Sequence, residues 1–291
     1  MPSSRFSYES RDGLKIAGYR WDPAAAPVAA VQLTHGMGEH VLRYEDVALA
    51  LAREGMVVYG QDHRGHGATA GSAELGDLGP GGWPALIEDI GLLTARIHAD
   101  HPGLPLFLLA HSMGSFAAQQ YLLDHSADVD GVILTGTASI DLLEPALDLD
   151  QPLDLSMFNA AFQPARTDFD WLTRDEAIVD AYVADPHCGF GIDTDSGKAM
   201  FVGARRLADP DQVAAMRSAL PVYIAAGEKD PVNGGLTLLH PLADRYRSAG
   251  LTDVTVRTYP DARHEILNEI NRGEVISDLT AWLKLQLDSA R

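Results

Sequence analysis

Residues 105–115 read Pro-Leu-Phe-Leu-Leu-Ala-His-Ser-Met-Gly-Ser, an apolar run that ends in a serine among small residues. The run predicts a buried strand, and the residues after it predict a helix, with Ser112 at the sharp turn between them. Such a turn is typical of a nucleophile elbow, which raises the serine hydroxyl above the sheet and places the next backbone N–H beside it. The usual pattern is Gly-x-Ser-x-Gly, and Ala110 replaces the first glycine. Because Ser-x-Gly is common by chance, the role of Ser112 depends on the rest of the chain.

Apolar runs and helical patterns alternate along most of the chain. The strands are predicted at 5–10, 14–21, 28–33, 56–60, 104–109, 129–134, 220–225 and 254–259, the first two joined by a hairpin at Asp12-Gly13. Helices are predicted at about 43–54, 83–100, 112–125, 236–249 and 265–287. Near-continuous apolar strands are typical of a parallel sheet that is covered on both faces. We therefore predict an α/β fold with a mostly parallel, eight-stranded sheet and helices on both faces.

One segment departs from this alternation. Residues 139–212 contain prolines, aromatic residues and short helical patterns but no clear strand. The segment follows a core strand, so it is expected over the carboxyl ends of the strands, where open α/β sheets bind ligands. We predict a helical cap at 139–212 on a core formed by 1–138 and 213–291. Its aromatic side chains, Trp171 among them, are expected as a group to contribute to a ligand pocket; the alternative is that they serve only to pack the cap onto the core.

Composition excludes several classes of protein. The 291 residues carry a formal net charge of −19, which opposes binding to nucleic acid. No stretch approaches the roughly 20 apolar residues of a membrane span, and the N-terminus lacks the apolar core of a secretory signal. The single cysteine, Cys188, fits a reducing compartment. We expect a cytoplasmic protein with no integral membrane association.

A nucleophilic serine needs a base, and the base needs a carboxylate that orients it. One known order along the chain is serine, acid, histidine. Asp230 follows the strand predicted at 220–225, and His264 follows the last strand, so both are expected at the same edge of the sheet as Ser112. The sequence therefore predicts Ser112, Asp230 and His264 as catalytic residues.

Other interpretations of these residues remain open. Glu228 competes with Asp230 as the acid, and Asp230 is also a common turn residue before proline. His264 has the alternative of a helix cap or a surface residue, and His240, the other histidine after Asp230, falls within a predicted helix. His111, next to the nucleophile, is expected to pack locally.

Acyl transfer also requires donors for the oxyanion. One candidate is the backbone N–H of Met113, after the nucleophile. The other is the N–H of Met37, in a loop after the first core strand where paired glycines let the backbone approach a substrate. His63 and His66 do not form a set with metal-ligand spacing, so no metal and no cofactor are predicted.

Several motifs together resemble those of one family. They are His35-Gly36-Met37-Gly38-Glu39-His40, Arg43-Tyr44, Asp62-His63-Arg64-Gly65-His66-Gly67, Asp261-Ala262-Arg263-His264-Glu265 and Asn268-Glu269. In these the chain is similar to the monoacylglycerol lipase and lysophospholipase branch of the α/β-hydrolases, of the serine aminopeptidase S33 type. The resemblance implies the α/β-hydrolase fold and a serine carboxylic-ester hydrolase that works through an acyl-enzyme, on monoacylglycerol-like or lysophospholipid-like esters.

The resemblance also assigns residues. Ser112, Asp230 and His264 match the family triad, and the N–H groups of Met37 and Met113 match its oxyanion hole. Glu39 and Arg43 match an acidic–basic pair near the polar end of the family's pocket, a possible substrate-binding pair. Their spacing also suits an ion pair at the start of a helix, and we favour this structural role.

The chain departs from this family at several positions. Leu267 lies one turn after His264, where some glyceride lipases have another histidine, and this weakens the case for a glycerol ester. An alternative substrate is another small ester or thioester, such as an alkyl ester of an aromatic acid. A second alternative is a ligand-binding protein that has lost activity. If the protein is an enzyme, its expected binding partner is a small-molecule ester substrate.

Overall fold

A single eight-stranded sheet forms the centre of the molecule. The computed structural model describes residues 1–71, 74–153 and 155–289; residues 72–73, 154 and 290–291, which belong to the predicted core and cap, lie outside the described residues. The strands are β1 (Ser4–Glu9), β2 (Lys15–Trp21), β3 (Ala29–Thr34), β4 (Met56–Gln61), β5 (Leu106–His111), β6 (Gly131–Thr135), β7 (Val222–Gly227) and β8 (Val254–Tyr259).

The strand order is β1-β2-β4-β3-β5-β6-β7-β8. β2 pairs antiparallel with β1 and β4, and every other neighbouring pair is parallel. All residues of β3, β4, β5, β6 and β7 are buried, because helices cover both faces. The predicted eight-stranded, mostly parallel sheet is confirmed.

Helices pack on each face of the sheet. They are α1 (Glu45–Arg53), α2 (Gly67–Ala70), α3 (Gly82–Asp100), α4 (Met113–His125), α5 (Ile140–Leu143), α6 (Glu176–Ala184), α7 (Thr194–Ala204), α8 (Pro210–Ala214), α9 (Leu239–Ser248) and α10 (Arg272–Ser289). The apolar sides of α3, α4 and α9 belong to one buried cluster, and those of α1 and α10 to a second cluster on the opposite face. No helix among the described residues combines the length and the apolar character that crossing a membrane requires.

Helix α9 begins at Leu239 rather than at 236, and two other helices also begin later than their sequence patterns predict, each after a 3-10 turn. A 3-10 turn at Val41–Tyr44 precedes α1, and a second at Ile266–Asn268 precedes α10, which begins at Arg272 rather than at Glu265. Glu269 explains the late start of α10, because its carboxylate accepts hydrogen bonds from the backbone N–H groups of Arg174, Arg263 and Ile270. These contacts hold residues 263–271 in a loop at the edge of the sheet.

Helices alone form the regular structure in the described part of residues 139–212. Besides α5, α6, α7 and α8, this segment has 3-10 turns at Glu144–Ala146, Leu155–Phe162 and Arg205–Ala208. It lies between β6 and β7 along the chain. Parts of it pack on α3 and α4, and other parts lie over the loops at the carboxyl ends of the strands.

Candidate active site

Ser112 occupies a strained turn between β5 and α4. Its φ of 50° and ψ of −124° lie in the left-handed region, which a residue with a side chain rarely adopts. The backbone N–H of Ser112 donates to the carbonyl of Thr135 at 2.9 Å, so pairing with β6 continues to the turn. Strain of this kind persists where the surrounding structure enforces it, and it is concentrated at functional sites.

The helix after Ser112 begins against the backbone of β3. A Cβ on Gly114 would lie 2.5 Å from the carbonyl oxygen of Thr34 and would collide with that of His35. Ala110, in contrast, already carries a Cβ, and it is fully buried in β5. The glycine after the serine is therefore required by packing, and the alanine before it is accommodated.

Asp230 and His264 lie together at the carboxyl ends of β7 and β8. Nδ1 of His264 is 3.0 Å from Oδ1 of Asp230, and both side chains are buried. Asp230 also accepts hydrogen bonds from Val232 N–H and Asn233 Nδ2, which fix its carboxylate. Glu228 instead accepts a hydrogen bond from the hydroxyl of Thr258 at 3.0 Å.

The environment of His264 favours its charged form. Burial acts to lower the pKa of this imidazole, but the charge and hydrogen bond of Asp230, with the charges of Glu265 and Glu39, act in the opposite direction. The net effect raises the pKa of His264 above its ordinary value of 6.5. A site of this kind stabilises an imidazolium.

Gly136 and His111 lie next to the imidazole of His264 and limit the space that it occupies. A Cβ on Gly136, in the turn after β6, would lie 2.8 Å from Cε1 of His264 and 2.6 Å from Cε1 of His111. The ring of His111 lies 4.8 Å from that of His264, and its Nδ1 is 3.0 Å from the hydroxyl of Thr135. Burial holds the pKa of His111 well below 6.5, so this ring is a neutral neighbour.

The loop that contains Met37 lies directly against the serine. A Cβ on Gly36 would be 3.1 Å from Cβ of Ser112, a distance that shows how closely the two backbones approach. Oε1 of Glu39 accepts the backbone N–H of Gly36 at 2.6 Å and the hydroxyl of Tyr44 at 2.6 Å. Glu39 thus holds the shape of the loop.

Three buried histidines support this loop from the core. Nε2 of His35 accepts the backbone N–H of His63, and Nε2 of His66 accepts that of Gly38 at 3.3 Å. Burial lowers the pKa of His66 to about 4 and that of His63 to about 3, and it lowers the pKa of His35 as well. All three imidazoles are therefore neutral near pH 7, and they support the loop without adding a charge to the core.

Arg43 joins Glu39 to the loop that carries His264. Its guanidinium donates to Glu39 at 2.6 Å and to both carboxylate oxygens of Glu265 at 2.6 and 2.7 Å. All three side chains are largely buried, and Glu39 and Glu265 face the same cavity as Ser112. Arg43 is thus paired with two carboxylates. The sequence predicts no role for one of them, Glu265.

Trp171 belongs to the aromatic group for which the sequence predicts a role in a pocket, but its contacts with His264 and the loop after it were not predicted. Its ring lies 5.0 Å from that of His264, and its backbone carbonyl accepts the N–H of His264 at 3.4 Å. The next carbonyl, of Leu172, accepts the N–H of Glu265 at 2.7 Å. Its place in an aromatic-rich segment was the only sequence signal, since nothing in the pattern pairs Trp171 with a histidine 93 residues later.

The Met37 loop also contacts helix α6 and the loop after it. The carbonyl of Gly38 accepts hydrogen bonds from the hydroxyl of Tyr182 at 2.8 Å and from the N–H of Gly189 at 3.0 Å. Gly38 has a φ of 65°, and a Cβ there would clash with the carbonyl oxygen of Phe190. A side chain at this position would therefore separate the two loops.

An apolar cavity opens at Ser112. It has an empty volume of about 620 Å³, part of it open to solvent. Gly36, Met37, Met113 and His264 line it beside the serine. Its apolar walls come mainly from residues 140–201, and they include Ile140, Leu143, Leu153, Leu155, Phe158, Leu172, Met200 and Phe201. The arrangement brings a serine, a buried His–Asp pair and a close glycine-rich loop to a cavity whose walls are mainly apolar.

Comparison with known proteins supports the resemblance that the motifs predict. Residues 25–271 match the family model described as serine aminopeptidase, S33. The chain is 31% identical to a monoacylglycerol lipase of Mycolicibacterium smegmatis, over 96% of each protein. It is 26% identical to the monoglyceride lipase of Rattus norvegicus, over 94% of this chain and 88% of that protein.

The fold is shared with solved hydrolases. A highly thermostable carboxyl esterase from Bacillus coagulans, solved in complex with glycerol, superposes with a TM-score of 0.87 at 28% identity, and the match covers 99% of each chain. The predicted α/β-hydrolase architecture is thereby confirmed.

Proposed function

The chain belongs to the serine aminopeptidase S33 family and is a serine hydrolase of the lipase and esterase type, and from this premise we propose that Ser112, His264 and Asp230 form its catalytic triad. The observation that carries the proposal is the His264 ring, which lines the same cavity as Ser112 while its Nδ1 lies 3.0 Å from Asp230. The strained backbone of Ser112 and the net rise in the pKa of His264 support it further.

The chemistry follows from this geometry. The Ser112 hydroxyl attacks the ester carbonyl while Nε2 of His264 takes its proton, and that proton then passes to the departing alcohol. Water repeats the sequence on the acyl-enzyme, with His264 as base, and releases the acid. Asp230 orients the ring through Nδ1–H and stabilises the imidazolium. The N–H groups of Met37 and Met113 are proposed as donors to the oxyanion.

The substrate that we propose is a neutral, monoacylglycerol-like ester. Similarity to monoacylglycerol lipases supports this choice, and so does the apolar wall that residues 140–201 provide for an acyl chain. At the polar end, Glu39 and Glu265 flank Arg43 and leave one excess negative charge. That charge disfavours the phosphate of a lysophospholipid. We propose that residues 139–212 act as a cap, whose walls select the acyl group.

The triad is tested by replacing its nucleophile. Ser112→Ala should lower kcat/KM for a short p-nitrophenyl ester by about 10³-fold or more, and it should abolish labelling by a fluorophosphonate. Ser126→Ala is the matched control, since it removes a buried hydroxyl just beyond the far end of the same helix and should keep both signals. Near-normal turnover by Ser112→Ala would reject Ser112 as the nucleophile. A wild-type protein that does not react with the probe would instead indicate a ligand-binding protein.

The substrate is tested with esters that share one acyl chain. We expect kcat/KM to be highest for the monoacylglycerol and at least about tenfold lower for a lysophospholipid, because of the charge at the polar end. Faster hydrolysis of the lysophospholipid, or of an alkyl ester of an aromatic acid, would refute the proposed substrate and leave the triad intact.

A further inference from the structure

Side chains with metal-binding atoms meet where the loop after α6 touches the end of the Met37 loop. Donor atoms of His40, Asp185 and Cys188 all lie within 4.8 Å of one another, and Nε2 of His40 is 2.9 Å from Oδ2 of Asp185. The ring of His187 stands edge-on to that of His40 at 6.4 Å. We propose that His40, Asp185 and Cys188 form a binding site for a thiophilic divalent ion such as Zn²⁺, with His187 or water as the fourth ligand.

The chemistry of the donors selects the ion. An imidazole nitrogen, a carboxylate oxygen and a thiolate are the three ligand types that Zn²⁺ takes in proteins, whereas Mg²⁺ and Ca²⁺ require oxygen ligands. Cys188 is the only cysteine of the chain, so a thiolate ligand can come only from this site. Sequence spacing predicts no metal here, because 145 residues separate His40 from Asp185.

His40 and Asp185 already lie close to coordination distance, and the sulfur of Cys188 lies within 4.8 Å of both donor atoms. In tetrahedral coordination, a nitrogen and an oxygen ligand of Zn²⁺ stand about 3.3 Å apart. The 2.9 Å separation of His40 and Asp185 therefore has to widen by a few tenths of an ångström as the ion replaces the proton between them. All three side chains are only partly buried, and solvent reaches the site.

The charges are also compatible with a dication. Burial raises the pKa of the Cys188 thiol, so Zn²⁺ has to displace the thiol proton as it binds. The carboxylate and the resulting thiolate then bring two negative charges, which balance the ion. Arg43, whose positive charge acts on Cys188, already pairs with Glu39 and Glu265, so its charge is compensated within its own network. Binding would add a metal bridge beside the hydrogen bonds that Tyr182 and Gly189 donate to Gly38, and it would stabilise the contact between the two loops.

The test uses the whole protein after treatment with a chelator. Titration with Zn²⁺ at about pH 7.5 should show one ion bound per chain with a Kd in the low micromolar range or tighter, and a rise in Tm. Co²⁺ should give a sulfur-to-cobalt charge-transfer band in the near ultraviolet, which reports the Cys188 thiolate. Cys188→Ser should abolish that band, and Cys188→Ser and His40→Gln should each weaken Zn²⁺ binding by about 30-fold or more.

His125→Gln is the matched control. His125 lies 3.1 Å from Asp128 in an exposed pair that lacks a thiol, so this variant should bind Zn²⁺ as the wild type does. Asp185→Asn provides a second removal of a ligand if His40→Gln does not fold. The proposal is overturned if the wild type binds no Zn²⁺, or if Cys188→Ser binds it with unchanged affinity. Both readouts are independent of the proposed hydrolase activity.

Discussion

The guanidinium of Arg43 donates two hydrogen bonds, of 2.6 and 2.7 Å, to the carboxylate of Glu265, although the two residues are 222 positions apart. Glu265 follows His264 directly, and Arg43 also binds Glu39, which holds Gly36. One guanidinium therefore connects the proposed base to the proposed oxyanion loop. The ion pair that the spacing of Glu39 and Arg43 suits is present, and Glu39 lines the cavity. That the pair binds substrate stays a prediction.

Arg43→Lys should reduce kcat/KM about tenfold or more. An ammonium group cannot reproduce the planar fork that engages both oxygens of Glu265 while it binds Glu39, so the two loops should lose their relative position. Steady-state kinetics on a p-nitrophenyl ester measures the effect. Arg245→Lys is the control, because Arg245 makes the same paired contact with Asp141 at 3.0 and 2.9 Å. Equal losses in both variants would contradict a role of Arg43 in the site.

Trp171→Ala should lower kcat more than it raises KM. The indole packs on the ring of His264, and its removal leaves a void into which the imidazole can turn away from the reactive geometry. We expect a loss in kcat of about 10- to 100-fold and a smaller loss in Trp171→Phe, which keeps an aromatic ring.

Trp282→Ala serves as the control for this effect. Trp282 packs on Phe107 and Tyr223 within the apolar cluster that contains α10, so its loss should cost stability, about 3 to 5 kcal/mol, without a specific loss of kcat. If the fully folded Trp282→Ala protein lost as much kcat as Trp171→Ala, the role of Trp171 as a positioning residue would be refuted.

The activity should decrease as the pH is lowered, and the midpoint of this decrease should lie above pH 6.5. His264 must be neutral to take a proton, and its pKa in the folded protein is raised, so kcat/KM decreases as the pH falls through that raised value. Glu265→Gln removes one of the charges that raise this pKa and should move the acid limb to lower pH. Glu228→Gln removes a carboxylate that bonds Thr258 and should leave the limb in place. An unchanged limb in Glu265→Gln would exclude the proposed electrostatic effect.

The buried histidines should make the fold sensitive to acid. The pKa of His66 is about 4 when folded, below its ordinary value of 6.5, so the unfolded chain binds more protons between these values. The stability contributed by neutral His66 is therefore complete above pH 6.5 and is lost as the pH falls toward about 4, a loss of roughly 3 kcal/mol.

Urea unfolding at about pH 7 and pH 4.5 measures this dependence. His66→Gln keeps an acceptor for the N–H of Gly38 but does not titrate, so its stability should depend less on pH than that of the wild type. His240→Gln, at an exposed histidine, should behave as the wild type. The same loss of stability in His66→Gln as in the wild type would assign the acid sensitivity to other groups.

The sheet could be predicted from sequence because it depends on local patterns. Strands such as 104–109 are apolar throughout, and the glycines and prolines between elements mark the turns, so short windows suffice. The positions of Asp230 and His264 relative to Ser112 also follow from order alone, because parallel strands bring their carboxyl ends to one edge. Contacts that depend on side-chain packing across distant segments were beyond such reasoning.

Glu265 and Trp171 show this limit. The helical pattern from 265 onward predicts a helix, but tertiary hydrogen bonds to Glu269 override it and release Glu265 to bind Arg43. Trp171 reaches His264 only because its backbone runs alongside residues 264–265. In both cases the decisive partners are remote in sequence, so the pattern within a short window of residues does not reveal them.

Gly38 ties residues 139–212 to the loop that contains Met37. Its carbonyl accepts hydrogen bonds from Tyr182 and Gly189, while its N–H donates to His66, so the two polar groups of one residue face the two sides of this contact. A foreign segment grafted in place of residues 139–212 would leave the carbonyl without partners unless it supplied two donors at the same positions. A graft that changes the cavity wall therefore has to be designed together with the donors for Gly38.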